Sequence, residues 1–221
     1  MRIPRANSSS VGLTLVELLV VVVIIAVFVA LLDPFSEPRI KKHALLISCM
    51  SNQKQLELGF LMWSGDNGGK FPWQLSTTTN GTMELITNGD VVSQLVVLSD
   101  YVRIPSICRC PADTTRTIAE NFKTLTDSNV SYFVNVDADS RLGVMTGDRH
   151  LQADGGAVGR GNFLVTNGMK LEWTHELHYQ RFAMARGALG FTDGHAEVVF
   201  TTNLTAAFMR SGTNDERLLV P

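Results

Sequence analysis

The sequence predicts an α+β protein in which the second half of a long N-terminal helix packs on a mainly antiparallel β-sheet carrying long loops. Three observations predict it. An unbroken apolar run fills residues 13–32, a stretch with one apolar helical face follows to about residue 64, and the C-terminal half holds short strand-like segments around an Asp-Gly pair.

The first element is the apolar run. From Leu13 to Leu32 it is 20 residues long and carries one carboxylate, Glu17, near its start. At about 1.5 Å per residue such a helix covers roughly 30 Å, the thickness of a bilayer's hydrocarbon core, so it can span a membrane. An acidic side chain costs on the order of 2.5–3.5 kcal/mol at mid-depth and less near the end, so Glu17 needs a partner and a function. The run itself contains no cation. Cleavage between Gly12 and Leu13 would create one, because the new α-amine of Leu13 lies four residues from Glu17 on the same helix end. An ordinary signal peptide would instead place a small-residue cleavage site after a shorter apolar core, and nothing of that kind follows Leu32. Arg2 and Arg5 favour a cytoplasmic leader, although Arg39, Lys41 and Lys42 beyond the run weaken the asymmetry.

Pro34 and Pro38 come next, and proline within a helical pattern bends or breaks it, so a kink is expected there. Beyond it Cys49, Leu56, Phe60 and Trp63 recur at spacings of seven, four and three, which is one helix face. Gly65-Asp66-Asn67-Gly68-Gly69 should stop this helix after about Ser64, since these residues accept turn and left-handed conformations. The resulting organisation is a basic leader at 1–12, a membrane-spanning helix at 13–33, its amphipathic continuation at 34–65 and an α+β domain at 66–221. Phe60, Met62, Trp63, Phe71 and Trp73 read as core packing of the helix on its sheet, because such a domain buries its large aromatics.

Within the domain, Ser131 to Val134, Phe163 to Val165 and Gly187 to Phe200 have strand-like content. Asp193-Gly194 within the last of these predicts a hairpin with a type I′ turn, in which both central residues take positive φ. A final short helix is expected from Thr202 or Asn203, with Leu204, Ala207 and Phe208 on one face. Residues 76–90 and 137–161 are rich in Thr, Asn, Asp and Gly and read as long surface loops.

With 19 basic and 21 acidic residues the chain has no electrostatic footprint for nucleic acid. Three cysteines in an exported chain permit one disulfide and leave one thiol. Cys108 and Cys110 are too close in sequence to bridge each other well, so Cys49 would join one of them. No nucleophile motif or phosphate-cradling glycine loop is present, and no enzyme activity is predicted. The five histidines are scattered; His175 and His178 flank Glu176, but a metal site needs a further ligand, so no metal is assigned and the histidines read as solvated loop residues. Asp137 and Asp139 lack the glycine and distal Glu of an EF-hand, which leaves a loop calcium as a minor alternative to ordinary Asx-turns and no cofactor as the reading.

Arg2, Arg5, Gly12, Leu13, Thr14 and Glu17, followed by the apolar run, resemble the prepilin signature of type IV pilins and type II secretion pseudopilins. Leu13 stands where Phe is commoner. The resemblance implies a pilin-like fold, cleavage after Gly12 by a prepilin peptidase and N-methylation of Leu13. It further implies that Glu17 offsets a neighbour's N-terminal charge during filament assembly. The segment from Cys49 to Asn52, then Asp66-Asn67-Gly68 with Pro72, Cys110-Pro111-Ala112-Asp113 and Asp193-Gly194 resemble the pseudopilin-like proteins of planctomycetes and verrucomicrobia. In that group a His often precedes the Asp-Gly pair by ten residues, where this chain has Ala183. The narrower resemblance implies a Cys49–Cys110 disulfide, with Cys108 as the alternative partner.

The implied function is a structural subunit of a periplasmic filament serving type II secretion or a related machine. The implied location is the bacterial inner membrane, single-pass, with a cytoplasmic N-terminus and a periplasmic C-terminal domain. The implied partners are copies of itself, other pseudopilins, the prepilin peptidase, an inner-membrane assembly platform and the lipid bilayer. The rival reading is a membrane-anchored periplasmic binding or adhesive domain that uses a pilin-type export signal.

Overall fold

The computed structural model describes residues 14–32, 38–139, 143–178, 184–210 and 215–221. They form an α+β structure with antiparallel sheets, in two units divided between Lys41 and Lys42.

The N-terminal unit contains helix α1, Leu15–Leu32. Its 18 residues make a helix of about 27 Å, and among the described residues no helix is long and apolar enough to cross a membrane. Thr14 caps it. Its hydroxyl accepts the Glu17 N–H at 3.3 Å, and Glu17 Oε2 accepts the Thr14 N–H at 2.8 Å and its hydroxyl at 2.9 Å, a reciprocal capping box. Gly12 and Leu13 lie outside the described residues, as does the segment 33–37 that contains Pro34. Pro38 is the first residue of α2, Pro38–Asp66, a position where proline's missing N–H costs nothing. The kink expected at Pro34 therefore falls outside the described residues.

In the second unit α2 runs two residues past the expected stop, and Gly68 and Gly69 just beyond its end both take positive φ. Cys49, Leu56, Phe60 and Trp63 are all buried. Phe71 stacks on Trp73, which meets the edge of Phe60, so these aromatics are core. Met62 is the exception; it is exposed on the outer face. After a series of short 3-10 turns and helix α3 (Val91–Val96), the chain enters the sheets.

The main sheet has six strands: β1 (Tyr132–Asn135), β2 (Val144–Asp148), β5 (Gly161–Thr166), β7 (Arg186–Phe191), β8 (Ala196–Phe200) and β9 (Asp215–Val220), in the order β5-β9-β1-β2-β7-β8. A small second sheet pairs β3 (Leu151–Ala153) with β4 (Gly156–Ala157) and β6 (Leu171–Trp173). The stretch 137–161, expected as a loop, therefore contains β2, β3 and β4.

Alternation along the strands divides the core in two. Tyr132, Val134, Met145 and Leu219 face the α2 side with Cys49, Leu56, Phe60 and Trp63. Phe133, Val144, Leu189, Phe191, Leu218 and Val220 join Leu151, Leu171, Trp173 and helix α4 (Thr201–Met209) on the other side. In α4 the expected face of Leu204, Ala207 and Phe208 is buried, but the helix begins one residue earlier and its N-cap, Phe200, offers no side-chain cap.

The β7–β8 hairpin forms around Asp193-Gly194 with Gly190 opposite Ala196. Its turn is not type I′: Gly194 has φ of 87° and Asp193 is not left-handed. The Gly194 N–H donates to the Phe191 carbonyl, and the Asp193 carboxylate accepts the His195 N–H at 3.1 Å instead. This local bond competes with the double left-handed turn.

Candidate functional site

α2 presents Cys49, Gln53 and Glu57 at successive i, i+4 positions, one above the other on the face that meets the sheet. All three are wholly buried. Opposite them, past a β-bulge between Val144 and Thr146, β2 aims Thr146 and Asp148 at the helix, and β1 contributes Tyr132. A polar seam therefore runs through the helix–sheet interface.

At one end of the seam Cys49 is joined to Cys110 by a disulfide with a Cα–Cα distance of 4.9 Å. Cys110 opens a tight turn, Cys-Pro-Ala-Asp, closed by the Asp113 N–H donating to the Cys110 carbonyl. The turn is anchored in turn by Asp113, whose carboxylate accepts from Arg149 Nε at 2.9 Å, from the Ser131 hydroxyl at 2.9 Å and from the Thr115 hydroxyl at 2.7 Å. Burial pushes the Asp113 carboxyl up, but the His150, Arg149 and Thr115 side chains beside it outweigh that and hold it below the usual carboxylate range. The Asn52 side chain donates to the Arg109 carbonyl at 3.0 Å, a second tie between α2 and this loop.

Asp148 and His178 complete the cluster. Asp148 Oδ2 accepts the Ala188 N–H at 2.8 Å and lies 3.3 Å from His178 Nε2; Oδ1 lies 3.4 Å from Gln53 Nε2 and 3.3 Å from Cys49 Sγ. His178 Nε2 is also 3.5 Å from Cys110 Sγ. The Tyr132 hydroxyl sits 3.3 Å from Cys49 Sγ, and burial with the Asp148 charge nearby pushes its pKa well up. His178 is buried, in contrast to the expected solvated loop residue, and it does not share a helix with His175.

Further along the seam Glu57 accepts a hydrogen bond from Thr146, and burial drives its carboxyl well above the ordinary value. Among the described residues, Glu57 Oε2, Gln53 Oε1 and His178 Nδ1 are buried without a hydrogen-bond partner. Gly190 of β7 passes so close that a Cβ there would lie 2.1 Å from Glu57 Oε1.

Of the residues the sequence singles out, the structure brings Cys49 and Cys110 together. Cys108 stays a buried thiol, pushed up to about 12 by burial and therefore unreactive. Glu17 is engaged by Thr14 at its own helix start. Asp137, weighed as a calcium ligand, holds Arg217 through its Nε and backbone N–H at 2.8 Å each. Sequence reasoning passed over Gln53, Glu57, Asp148 and the depth of His178. Gln53 and Glu57 did carry a signal, since they fall in line with Cys49 on the face assigned to the core. No protein-family model, curated protein or solved structure matches this chain.

Proposed function

We propose that this protein is a pilin-like structural subunit, a pseudopilin held in a bacterial inner membrane by its N-terminal helix and assembled with copies of itself and other pseudopilins into a periplasmic filament. One observation carries the reading. The large apolar side chains of α1 from Leu15 to Leu31 are all exposed, from 48% for Val20 to 79% for Leu15, a continuous surface that water does not tolerate on this scale. Such a surface fits lipid before assembly and the helices of neighbouring subunits afterwards. The apolar run of the sequence, 20 residues from Leu13, matches a hydrocarbon core of about 30 Å.

The α+β domain with a helix braced on an antiparallel sheet supports the same reading. In this proposal prepilin peptidase cuts after Gly12, and the amine of Leu13 on one subunit meets Glu17 on another. The Thr14–Glu17 capping box makes the assignment testable, because Gln at the same position caps a helix equally well while carrying no charge.

The experiment is disulfide crosslinking in membranes through a cysteine introduced at Val21 or Phe28. Processed wild-type subunits should crosslink to one another, and Glu17→Gln should be inserted and processed yet lose those crosslinks. Crosslinks that survive the Gln substitution overturn the role of Glu17. Their absence from the wild type in cells with an active assembly platform overturns the filament reading in favour of an anchored binding or adhesive domain.

A further inference from the structure

We propose that Cys49, Cys110, Asp148 and His178 form a Zn²⁺ site in the reduced protein, so that metal and disulfide are alternative occupants of one buried position. Each residue offers one ligand atom, these atoms all lie within 4.8 Å of one another, and all four residues are buried. In a tetrahedral zinc site with Zn–S of about 2.3 Å and Zn–N or Zn–O of about 2.0–2.1 Å, ligand atoms are roughly 3.3–3.8 Å apart. The separations of His178 Nε2 from Asp148 Oδ2, 3.3 Å, and from Cys110 Sγ, 3.5 Å, already match two edges of that tetrahedron.

The surroundings point to a cation. Once the sulfurs are bonded to each other neither carries a hydrogen, so Asp148 Oδ1 faces a sulfur that cannot donate to it. Two thiolates, one carboxylate oxygen and one imidazole nitrogen are instead a ligand set suited to a borderline-soft dication. The residual negative charge meets donors already in place: the Ala188 N–H, Gln53 Nε2 and the Tyr132 hydroxyl. The His178 side chain is almost wholly enclosed, with Nε2 aimed at Asp148 and Cys110.

The chain is synthesised with both cysteines as thiols. Zn²⁺ then replaces the two S–H protons, which are released, and ties α2, the Cys-Pro turn, β2 and the segment after β6 together before any oxidation. Oxidation by an external disulfide removes two electrons from the two thiolates. The S–S bond of the oxidant breaks, its sulfurs take up two protons to become thiols, the Cys49–Cys110 bond forms and Zn²⁺ leaves.

The test uses the full chain in detergent, reduced under argon with a water-soluble phosphine and titrated with Co²⁺ as the spectroscopic probe. One Co²⁺ per chain should bind, with thiolate-to-cobalt charge-transfer absorption and the intense visible bands of a tetrahedral site, and Zn²⁺ should bleach both. His178→Ala should weaken binding at least about tenfold, Cys108→Ser should bind as the unsubstituted chain does, and the oxidised chain should bind none. X-ray absorption of the zinc form reads the ligand set directly, two sulfurs and one imidazole among four, should His178→Ala fail to fold. Failure of the reduced chain to bind Co²⁺, folded or not, equal binding by the oxidised chain, or a zinc shell without sulfur each overturns the proposal.

Discussion

Glu57 of α2 and Thr146 of β2 are hydrogen-bonded across the helix–sheet interface, with no water-accessible surface on the carboxyl and the backbone of Gly190 pressed against it. A carboxyl so enclosed keeps its proton well above its ordinary value of 4.5, because burial penalises the anion more than the single hydroxyl stabilises it. The pair therefore makes the stability of the domain depend on pH in a direction opposite to that of most carboxylates.

The sign follows from proton counting. Below the ordinary value both states hold the proton and the stability is complete; as pH rises through the window up to the raised value, the unfolded chain loses its proton first and stability falls, by at most about 1.4 kcal/mol per pH unit. Glu57→Gln keeps an acceptor for Thr146 and removes the titration. Urea midpoints should be similar at pH 4.5 and clearly higher for the Gln variant at pH 8, by on the order of 1 kcal/mol or more. Parallel pH profiles for the two proteins would show that Glu57 titrates alike in the folded and unfolded chain and would overturn its raised value.

Gly190→Ala should destabilise the domain by about 1–3 kcal/mol, the usual range for an overpacked interior, because its Cβ would meet Glu57 Oε1 at 2.1 Å. Glu57→Ala opens that space. In a double-mutant cycle Gly190→Ala should cost much less in the Glu57→Ala background, and additive losses would place the strain elsewhere.

Replacing Cys49 by Ser should cost about 4 kcal/mol in the chain-entropy account, since the Cys49–Cys110 bond spans a sequence separation of 61. Non-reducing peptide mapping of the wild type should recover that bridge with Cys108 as the free thiol. A bridge to Cys108 instead would require the loop 105–110 to pack differently.

Asp113→Asn should cost about 3 kcal/mol at pH 7, the low end for a broken buried pair because Arg149 is partly exposed. The wild-type carboxyl lies below its usual range, so its contribution is complete above the ordinary value of 3.8 and disappears as pH falls through the lower folded value. Acid unfolding of the Asn variant should be correspondingly shallower. Equal acid limbs would remove Asp113 from the set of groups that set acid stability.

The parts of this structure legible in the sequence are those where apolar periodicity decides. Cys49, Leu56, Phe60 and Trp63 mark the buried face of α2, and Ala188 to Phe200 mark the hairpin, because in both the hydrophobic pattern coincides with the pleat or turn of the element. β2 was not legible. Val144-Met-Thr-Gly-Asp breaks strand alternation with Thr146 and Asp148 on a buried face, since that face meets the polar side chains of α2 and not an apolar layer. For the same reason Gln53 and Glu57 look solvent-facing when read alone, and β3, β4 and β6 are too short to show a period.

β9 lies between β5 and β1, pairing Asp215–Val220 with Thr166–Gly161 on one side and Leu218–Leu219 with Asn135–Val134 on the other. Because a chain is made from its N-terminus, this order sets when the main sheet can close. Two strand edges, those of β1 and β5, wait unpaired until the segment 215–220 emerges, and during that interval they are open to pairing with other chains. Closure of the main sheet therefore waits for β9, the most C-terminal of the described strands.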